Sequence, residues 1–436
     1  MKSLNKQILN LAIPNILTSL SIPFLSSVDT ALVGHLEGLH YLGAIAIGGM
    51  IFNFIYWGFG FLRMGTTGLT AQAFGENNSE EQNLILMRGL LVAILGGLAL
   101  ILLQFPIAEL SFFLVDGTEE VEVFARSYFE IRIWAAPATL FSYVVLGWFL
   151  GMQNSKIPLF LTIVVNLSNV IFNLIFIKVF DFKSDGVALG TVFAQYLGFF
   201  LSFYILIKHY NFSFKLNFEK ILDSVALKKF FRLNLDITIR TLSLVFALSF
   251  FTAKSAEFGE EVLAVNTILF QLWMILAYGI DGFAYAAESL VGKFIGAKNI
   301  ENLKQIIIQI FYWGIGLGVL IALVYYFFFE HILSIFTDKN QVIELAKEFM
   351  IWTILAPLIN GFCFIWDGIY LGATDSKTLR NSMLICTFIV FIPIFYLTKE
   401  VLGNNSLWLA MTLFMFARGV TLSIFAKSRF HLWVKV

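Results

Sequence analysis

Charged side chains are scarce in this chain. Only 13% of its 436 residues are Asp, Glu, Lys or Arg, whereas soluble domains carry roughly 25%. The sequence therefore has no stretch polar enough to form a separate soluble domain. The 29 basic and 29 acidic residues balance to a net charge of zero, so no overall charge attracts nucleic acid, and we expect no nucleic-acid partner.

Cysteine and histidine are also scarce. The two cysteines, Cys363 and Cys386, both stand in apolar runs, which is typical of small core residues and not of a disulfide framework or a metal site. A membrane enzyme usually gathers His, Asp or Glu at one membrane edge for metal or acid–base chemistry. The five histidines are instead scattered over loops and edges, which argues against an enzyme; they are His35, His40, His209, His331 and His431.

Long apolar runs fill the rest of the sequence, which is 59% hydrophobic. A bilayer-spanning helix needs about 20 predominantly apolar residues, and twelve runs meet that length. The sequence therefore predicts an all-α polytopic membrane protein with twelve transmembrane helices. The predicted spans are 8–33, 42–72, 84–105, 123–151, 157–179, 186–207, 231–253, 262–291, 305–329, 349–372, 381–398 and 405–427. The first run shows no small-residue cleavage pattern, so we expect it to be retained as a span.

Basic residues set the predicted orientation, because short cytoplasmic loops are enriched in Lys and Arg. With the N-terminus inside, the inner loops are basic and the outer loops acidic, so both termini are predicted to be cytoplasmic. The inner basic residues include Lys156, Lys208, Lys215, Lys220, Lys228, Lys229, Lys293, Lys298, Lys304, Lys377 and Arg380. The outer acidic residues are Glu37, Asp116, Glu119, Glu120, Glu122, Glu257, Glu260 and Glu261.

The second half of the chain repeats the first. When Leu42 is placed on Leu263, identical residues coincide without a gap: Ile47 and Ile268, Gly58 and Gly279, Leu69 and Leu290, Gly75 and Gly296, Asn78 and Asn299. We therefore predict two six-helix bundles, 1–207 and 231–436, joined by a cytoplasmic linker at 208–230. Both begin inside, so the repeat is parallel, with a pseudo-two-fold axis along the membrane normal. Internal repeats of this kind are typical of secondary transporters.

Short motifs stand in both halves of the chain, and Gly147 to Lys156 coincides with Gly368 to Lys377 in the repeat. The first half carries Val28-Asp29-Thr30 in span 1, Ala71 to Gly75 after span 2, and Gly147 to Lys156 after span 4. The second half carries Asp236 to Thr241 and Gly368 to Lys377. Together these motifs resemble the MATE (multidrug and toxic compound extrusion) family, over essentially the whole chain. The aspartate of span 1 and the arginine of span 7 resemble its DinF-like branch.

The resemblance implies a function. It implies a monomeric antiporter of the plasma (inner) membrane that exports amphipathic, often cationic, organic compounds by alternating access. The driving force is an inward flow of H⁺ or Na⁺, and no cofactor is implied beyond that coupling ion. Pro14 and Pro23 flank a polar stretch of span 1. They favour either a static kink or a bend that couples protonation of Asp29 to the rest of the molecule.

Asp29 is the leading candidate for the coupling residue, since a charge within a span is costly and usually functional. Asn169 and Asn173 lie one helical turn apart on span 5. Span 6 begins on the outer side of the membrane and carries Thr191 near its start. By depth, all four share the outer half of the first bundle. They predict a pocket that holds a proton or a sodium ion, although hydrogen bonds between helices explain the amides equally well.

The predicted pocket departs from the family pattern at one position. In the DinF-like branch, Asn169 and Thr191 match cation-pocket positions, whereas the position of Asn173 is commonly an aspartate. One carboxylate instead of two weakens the case for Na⁺, because a monovalent cation loses a charged ligand. A single carboxylate of raised proton affinity favours H⁺ without excluding Na⁺.

A second group of charges lies in the other half. Asp236 and Arg240 stand one helical turn apart on span 7, and Asp367 lies at a similar depth on span 10. We expect one cluster of the three. It is either a buried ion network that fixes helices or a second cation or substrate site.

Two other functions remain open. A flippase of lipid-linked oligosaccharides, from the same superfamily, needs basic residues for a diphosphate. The available ones within spans are Arg63, Arg132, Arg240 and Arg418. A channel would need polar residues lining the full membrane depth, and polarity here is uneven between the two halves.

Overall fold

The computed structural model of the chain describes residues 2–34, 38–115, 117–210 and 218–435. This part of the chain is helical and connected by short turns. Twelve of its helical segments are long and apolar enough to cross a membrane, which confirms the predicted number of spans. A few side chains within helices lie outside the described set; they are those of Lys2, Ile22, Ser26, Asp29, Thr30, Val33, Leu39 and Lys435.

The first half contains ten helices. They are α1 (Lys2–Gly34), α2 (Leu39–Gly58), α3 (Phe61–Gly75), α4 (Ser79–Leu102), α5 (Gln104–Leu114), α6 (Glu119–Arg132), α7 (Ala136–Gly151), α8 (Lys156–Lys178), α9 (Ser184–Tyr210) and α10 (Phe218–Ile221).

The second half contains eight. They are α11 (Ser224–Ala256), α12 (Glu260–Gly296), α13 (Ile300–Phe336), α14 (Asn340–Glu348), α15 (Met350–Gly372), α16 (Ser376–Ile385), α17 (Ile392–Leu402) and α18 (Asn405–Lys435).

Several helices extend past the predicted spans or break within them. α13 covers 37 residues where 305–329 was predicted, because its charged and polar ends lie beyond the apolar run. Span 2 divides into α2 and α3 at Phe59 and Gly60. A 3₁₀ turn at 133–135 precedes Pro137 in the first turn of α7. A π-helical segment, Cys386–Phe391, precedes Pro393 in α17. Proline lacks the N–H that would continue a helix through it.

The repeat is visible in the backbone of each half. Asn77 and Lys298, which the repeat superposes, both adopt positive φ, at 56° and 52°. Gln153 and Thr374 also coincide and share positive φ, at 62° and 54°. The helices that follow begin alike: the side chain of Asn78 accepts from the backbone N–H of Glu81, and that of Asn299 from Asn302, both at 3.0 Å. The two halves therefore use the same turns at the same places.

Helix packing repeats as well. A Cβ added to Gly147 of α7 would lie 2.4 Å from the carbonyl oxygen of Arg63 in α3. A Cβ added to its counterpart, Gly368 of α15, would lie 2.2 Å from the carbonyl oxygen of Ala284 in α12. Glycine lets two backbones approach closely at these points, as small residues do between membrane helices.

The described chain forms two compact units. The C-terminal unit comprises Met1–Ser19, Ala71–Asn77 and Phe231–Val436, and the N-terminal unit comprises Leu20–Thr70 and Asn78–Phe230. α1 contributes to both, with its division between Ser19 and Leu20. The sequence-based limits of 1–207, 208–230 and 231–436 for two lobes and a linker stay a prediction.

Each unit has its own apolar core. In the N-terminal unit, Phe52, Phe129, Trp148 and Phe149 are buried together. In the C-terminal unit, the core includes Phe251, Phe391, Phe414 and Trp408. Large aromatic side chains that pack closely against one another gain dispersion energy. Between membrane helices such packing is an important source of stability, because lipid is as apolar as the core and gives no hydrophobic driving force.

Candidate functional site

A row of amide and hydroxyl groups joins α8 and α9 in the N-terminal unit. Asn173 Nδ2 donates to Asn169 Oδ1 at 3.1 Å. Asn169 Nδ2 donates in turn to Thr191 Oγ1 at 3.1 Å. The Thr191 hydroxyl donates to the carbonyl oxygen of Val187 at 2.9 Å. Both asparagines are buried, with 3% and 0% exposure for Asn169 and Asn173. The structure thus brings together three of the four residues predicted for the first site.

The local sequence explains this row. Asn169 and Asn173 are four residues apart on α8, so their side chains lie on the same face of the helix. α9 approaches that face at Gly190, where an added Cβ would lie 1.9 Å from Asn173 Oδ1 and 3.0 Å from its backbone nitrogen. Glycine at this position is therefore needed to admit the buried amide.

A further amide connects α8 to α1. Asn166 Nδ2 donates to Ser21 Oγ at 3.1 Å. Asp29 belongs to α1, but its side chain lies outside the described residues. Its predicted place beside Asn169, Asn173 and Thr191 therefore stays a prediction.

In the C-terminal unit, Asp367 of α15 is held between two arginines. Its Oδ2 accepts from Nη2 of Arg240 on α11. The same oxygen accepts from Nη2 of Arg418 on α18 at 2.5 Å. All three residues are buried. Two guanidinium groups and one carboxylate carry a net charge of +1, so this group repels an added cation.

Asp236 has different partners from Asp367. Its Oδ1 accepts from Arg380 Nη1 at 2.5 Å, and its Oδ2 accepts from Ser376 Oγ at 2.9 Å. Within the described residues no hydrogen bond joins Asp236 to Arg240. The three residues therefore belong to two groups instead of the expected single cluster: Asp367 with Arg240 and Arg418, and Asp236 with Arg380 and Ser376. The reason is that α16 brings its own arginine to Asp236, while α18 brings a second one to Asp367.

Sequence reasoning treated Arg418 as a structural partner within the spans but did not pair it with Asp367, and it did not pair Arg380 with Asp236. Arg418 is 1% exposed, and its Nη1 contacts Met415 Sδ while its guanidinium lies 5.4 Å from the Phe414 ring centroid. A lone arginine within an apolar span is itself a signal, because such a charge requires a partner. The sequence does not show which of several distant carboxylates that partner is.

A third charged group lies in the turn between α15 and α16. Asp375 accepts from Arg429 Nε and Nη2 at 2.6 and 2.8 Å, and from Trp433 Nε1 at 3.2 Å. Burial alone would raise the pKa of Asp375, but hydrogen bonds from Arg429, Thr378 and Trp433 outweigh it and lower the pKa below the usual aspartate value. This turn therefore holds the end of α18.

The matches between this chain and known proteins extend over both of its repeated halves. The family model described as MatE matches residues 14–175 and 237–397. DNA damage-inducible protein F of Escherichia coli is 34% identical, over 97% of this chain and 92% of its own. A probable multidrug resistance protein NorM of Bacillus anthracis is 27% identical, over 90% of this chain and 88% of its own.

Solved structures share the fold. A MOP superfamily transporter from Pyrococcus furiosus superposes with a TM-score of 0.89 at 18% identity, covering 99% of this chain and 97% of the other. The Vibrio cholerae MATE transporter VcmN in its bent form gives a TM-score of 0.86 at 21% identity, covering 99% and 98%.

Proposed function

Because the chain belongs to the MATE family of membrane transporters, we propose that it is a secondary antiporter. It exports amphipathic or cationic organic compounds, such as drugs and toxins, in exchange for H⁺. It works as a monomer by alternating access in the plasma (inner) membrane, with both termini in the cytoplasm. Asp29 carries the coupling proton.

The row from Asn173 to Thr191 is the observation that carries this proposal. Asn166 and Ser21 fix the level at which α8 meets α1. Spans 1 and 5 cross the membrane in the same direction, because three spans lie between them. Asn173 is seven residues beyond Asn166, and Asp29 is eight beyond Ser21. At 1.5 Å per residue, both backbone positions stand about 11–12 Å further along their helices, so we assign Asp29 to the row.

The hydrogen bonds within the row favour H⁺ over Na⁺. A sodium ion needs several oxygen ligands directed at it. The Asn169 carbonyl oxygen already accepts from Asn173, and the Thr191 oxygen already accepts from Asn169. A proton needs only one carboxylate in a poorly hydrated place, since burial raises the proton affinity of such a group.

α1 offers a route for coupling. It contributes residues to both units, and the division between Ser19 and Leu20 falls between Pro14 and Pro23. The two prolines weaken the helical hydrogen bonding on either side of that point. A change of charge at Asp29 therefore acts on the helix that belongs to both units.

The ion pairs of the C-terminal unit have a structural role in this account. Asp367 is occupied by Arg240 and Arg418, and Asp236 by Arg380 and Ser376. This occupancy also speaks against an oligosaccharide flippase, because the same arginines are not available for a diphosphate. Arg132, a third basic residue of the spans, donates to the Tyr128 hydroxyl and stacks on Phe52.

The proposal is tested with purified protein in sealed lipid vesicles and a fluorescent lipophilic cation, such as ethidium, as the exported probe. One set of vesicles carries a pH gradient without sodium, and the other carries a sodium gradient at equal pH. We expect dye transport against its gradient in the first set and none above empty vesicles in the second. Transport driven by sodium alone would overturn the choice of H⁺, and dye transport in neither set would overturn the proposed antiport.

A further inference from the structure

α11 and α16 lie side by side in the C-terminal unit. Near one end of the pair, Asp236 of α11 accepts hydrogen bonds from Ser376 Oγ and Arg380 Nη1 in the first turns of α16. Ten residues further along α11, the ring of Phe246 stacks on that of Phe388, with centroids 5.8 Å apart. Phe388 belongs to the π-helical segment that continues α16. The two helices are therefore neighbours over about 15 Å of α11.

Exposed apolar side chains line this pair of helices. Leu235, Leu242 and Phe246 of α11 are exposed, and their spacing of seven and four residues places them on one face of the helix. Ile385 and Phe388 are exposed on the neighbouring helical segment. Because both segments belong to helices that are long and apolar enough to cross a membrane, these side chains meet lipid acyl chains. We call the surface formed by these five residues the α11–α16 face.

Two basic residues stand at one end of the α11–α16 face. Arg232 lies one turn before Asp236 and three residues before Leu235, so it continues the exposed face of α11. Lys377 is the second residue of α16 and precedes Arg380 by one turn. Arg232 and Lys377 are exposed, and neither forms an ion pair with another residue of the described ranges. The charge of Arg380 is met by Asp236, so two positive charges remain beside an apolar surface.

We propose that the α11–α16 face binds one anionic phospholipid, with its phosphate between Arg232 and Lys377 and an acyl chain along Leu242 and Phe388. A guanidinium group binds phosphate through two parallel N–H···O bonds, and a lysine adds a point charge. A zwitterionic lipid carries a cation in its own headgroup, which the two basic side chains repel. The site therefore selects a headgroup of net negative charge, and it does so whichever ion drives transport.

Native mass spectrometry of the purified protein in detergent measures this binding. The protein is titrated with phosphatidylglycerol, or with phosphatidylcholine that carries the same acyl chains. We expect the first phosphatidylglycerol to bind at least about tenfold more tightly than the first phosphatidylcholine, because each basic residue at an anionic membrane surface strengthens binding about fivefold. Equal affinities for the two lipids would overturn the proposal.

A double variant, Arg232→Gln with Lys377→Gln, removes both charges from the site. Its matched control is Lys304→Gln with Lys427→Gln, which removes two exposed positive charges from α13 and α18 of the same unit. The preference for phosphatidylglycerol should disappear in the first variant and remain in the control. A preference that survives in the first variant, or that both variants lose equally, would show that these two residues do not form a lipid site.

The position of the acyl chain is tested in the wild-type protein, so this measurement needs no variant to fold. A phosphatidylglycerol with a photoreactive diazirine in one acyl chain is bound and irradiated, and the labelled peptides are identified by mass spectrometry. Label should appear around Leu242 and Phe388. An excess of ordinary phosphatidylglycerol should suppress it, whereas phosphatidylcholine should not. Label that avoids these two stretches, or that both lipids suppress equally, would overturn the proposal.

Discussion

Gly75, at the end of α3, packs against the backbone of α12, and Gly296, at the end of α12, packs against the backbone of α3. A Cβ added to Gly75 would lie 2.0 Å from the Lys293 carbonyl oxygen, and one added to Gly296 would lie 2.0 Å from the Gln72 carbonyl oxygen. The repeat superposes Gly75 on Gly296 and Gln72 on Lys293. The same contact is therefore made twice within the C-terminal unit, backbone against backbone.

This contact predicts a strong size limit at both glycines. Gly75→Ala and Gly296→Ala force the two helices apart, and overpacking of this kind costs about 1–3 kcal/mol. Thermal denaturation in detergent, followed by loss of the monodisperse peak, measures the effect. Gly316→Ala is the matched control, because an added Cβ on α13 meets nothing within 4 Å. Similar melting temperatures for all three variants would show that the contact does not matter.

The two arginines on Asp367 predict an unequal response to mutation. Asp367→Asn leaves two buried guanidinium groups without a carboxylate, and breaking a buried ion pair costs about 3–5 kcal/mol. Arg418→Met leaves Arg240 and Asp367 as a neutral pair, so it should cost clearly less. The folded yields and melting temperatures of Asp367→Asn and Arg418→Met show which variant loses more stability. If Asp367→Asn instead folds normally and loses transport, the group around Asp367 is a functional site.

The position of Asn173 predicts a change of coupling ion. Asn173→Asp places a second carboxylate in the amide row, which adds a charged oxygen ligand for a monovalent cation. Efflux driven by a sodium gradient alone should rise clearly above that of the wild-type protein, while Asn340→Asp on exposed α14 should have no effect. If Asn173→Asp folds and its sodium response equals that of the wild type, the amide row is not part of the cation site.

The turn at Asp375 predicts a pH-dependent stability. Its pKa is lowered in the folded protein, so its ionised form stabilises the fold at pH values above the ordinary aspartate pKa of about 4. That stabilisation is lost as the pH falls through the lowered value. The melting temperature of the wild type should therefore exceed that of Asp375→Asn at about pH 7, and the difference should shrink towards about pH 3. A constant difference would exclude this linkage.

Much of the fold could be predicted because hydropathy and repetition act over long stretches of sequence. Twelve apolar runs predicted twelve spans. The coincident residues predicted a repeat, and the structure shows it in the matching helix starts at Asn78 and Asn299. Breaks within the spans were harder to predict from the sequence. The turn at Phe59 and Gly60 and the π-helical segment at Cys386–Phe391 leave average hydropathy unchanged, so nothing in that average marks them.

The candidate site was predictable only where one helix carries the pattern. Asn169 and Asn173 share a face of α8, and their spacing alone showed it. The second partner of Asp367 could not be found in this way, because Arg418 reaches it through the packing of α18 on α15 across 51 positions of sequence. Periodicity describes a single helix and does not say which faces meet.

Asp29→Asn tests the central claim most directly. The change removes the proton site and keeps the size of the side chain. Purified variant and wild type are compared in vesicles with a pH gradient, with binding of the same dye measured in detergent, and Asp338→Asn in an exposed turn is the control. We expect Asp29→Asn to fold and bind dye but to lose gradient-driven efflux, while the control transports normally. Efflux by Asp29→Asn at the wild-type rate would contradict the account.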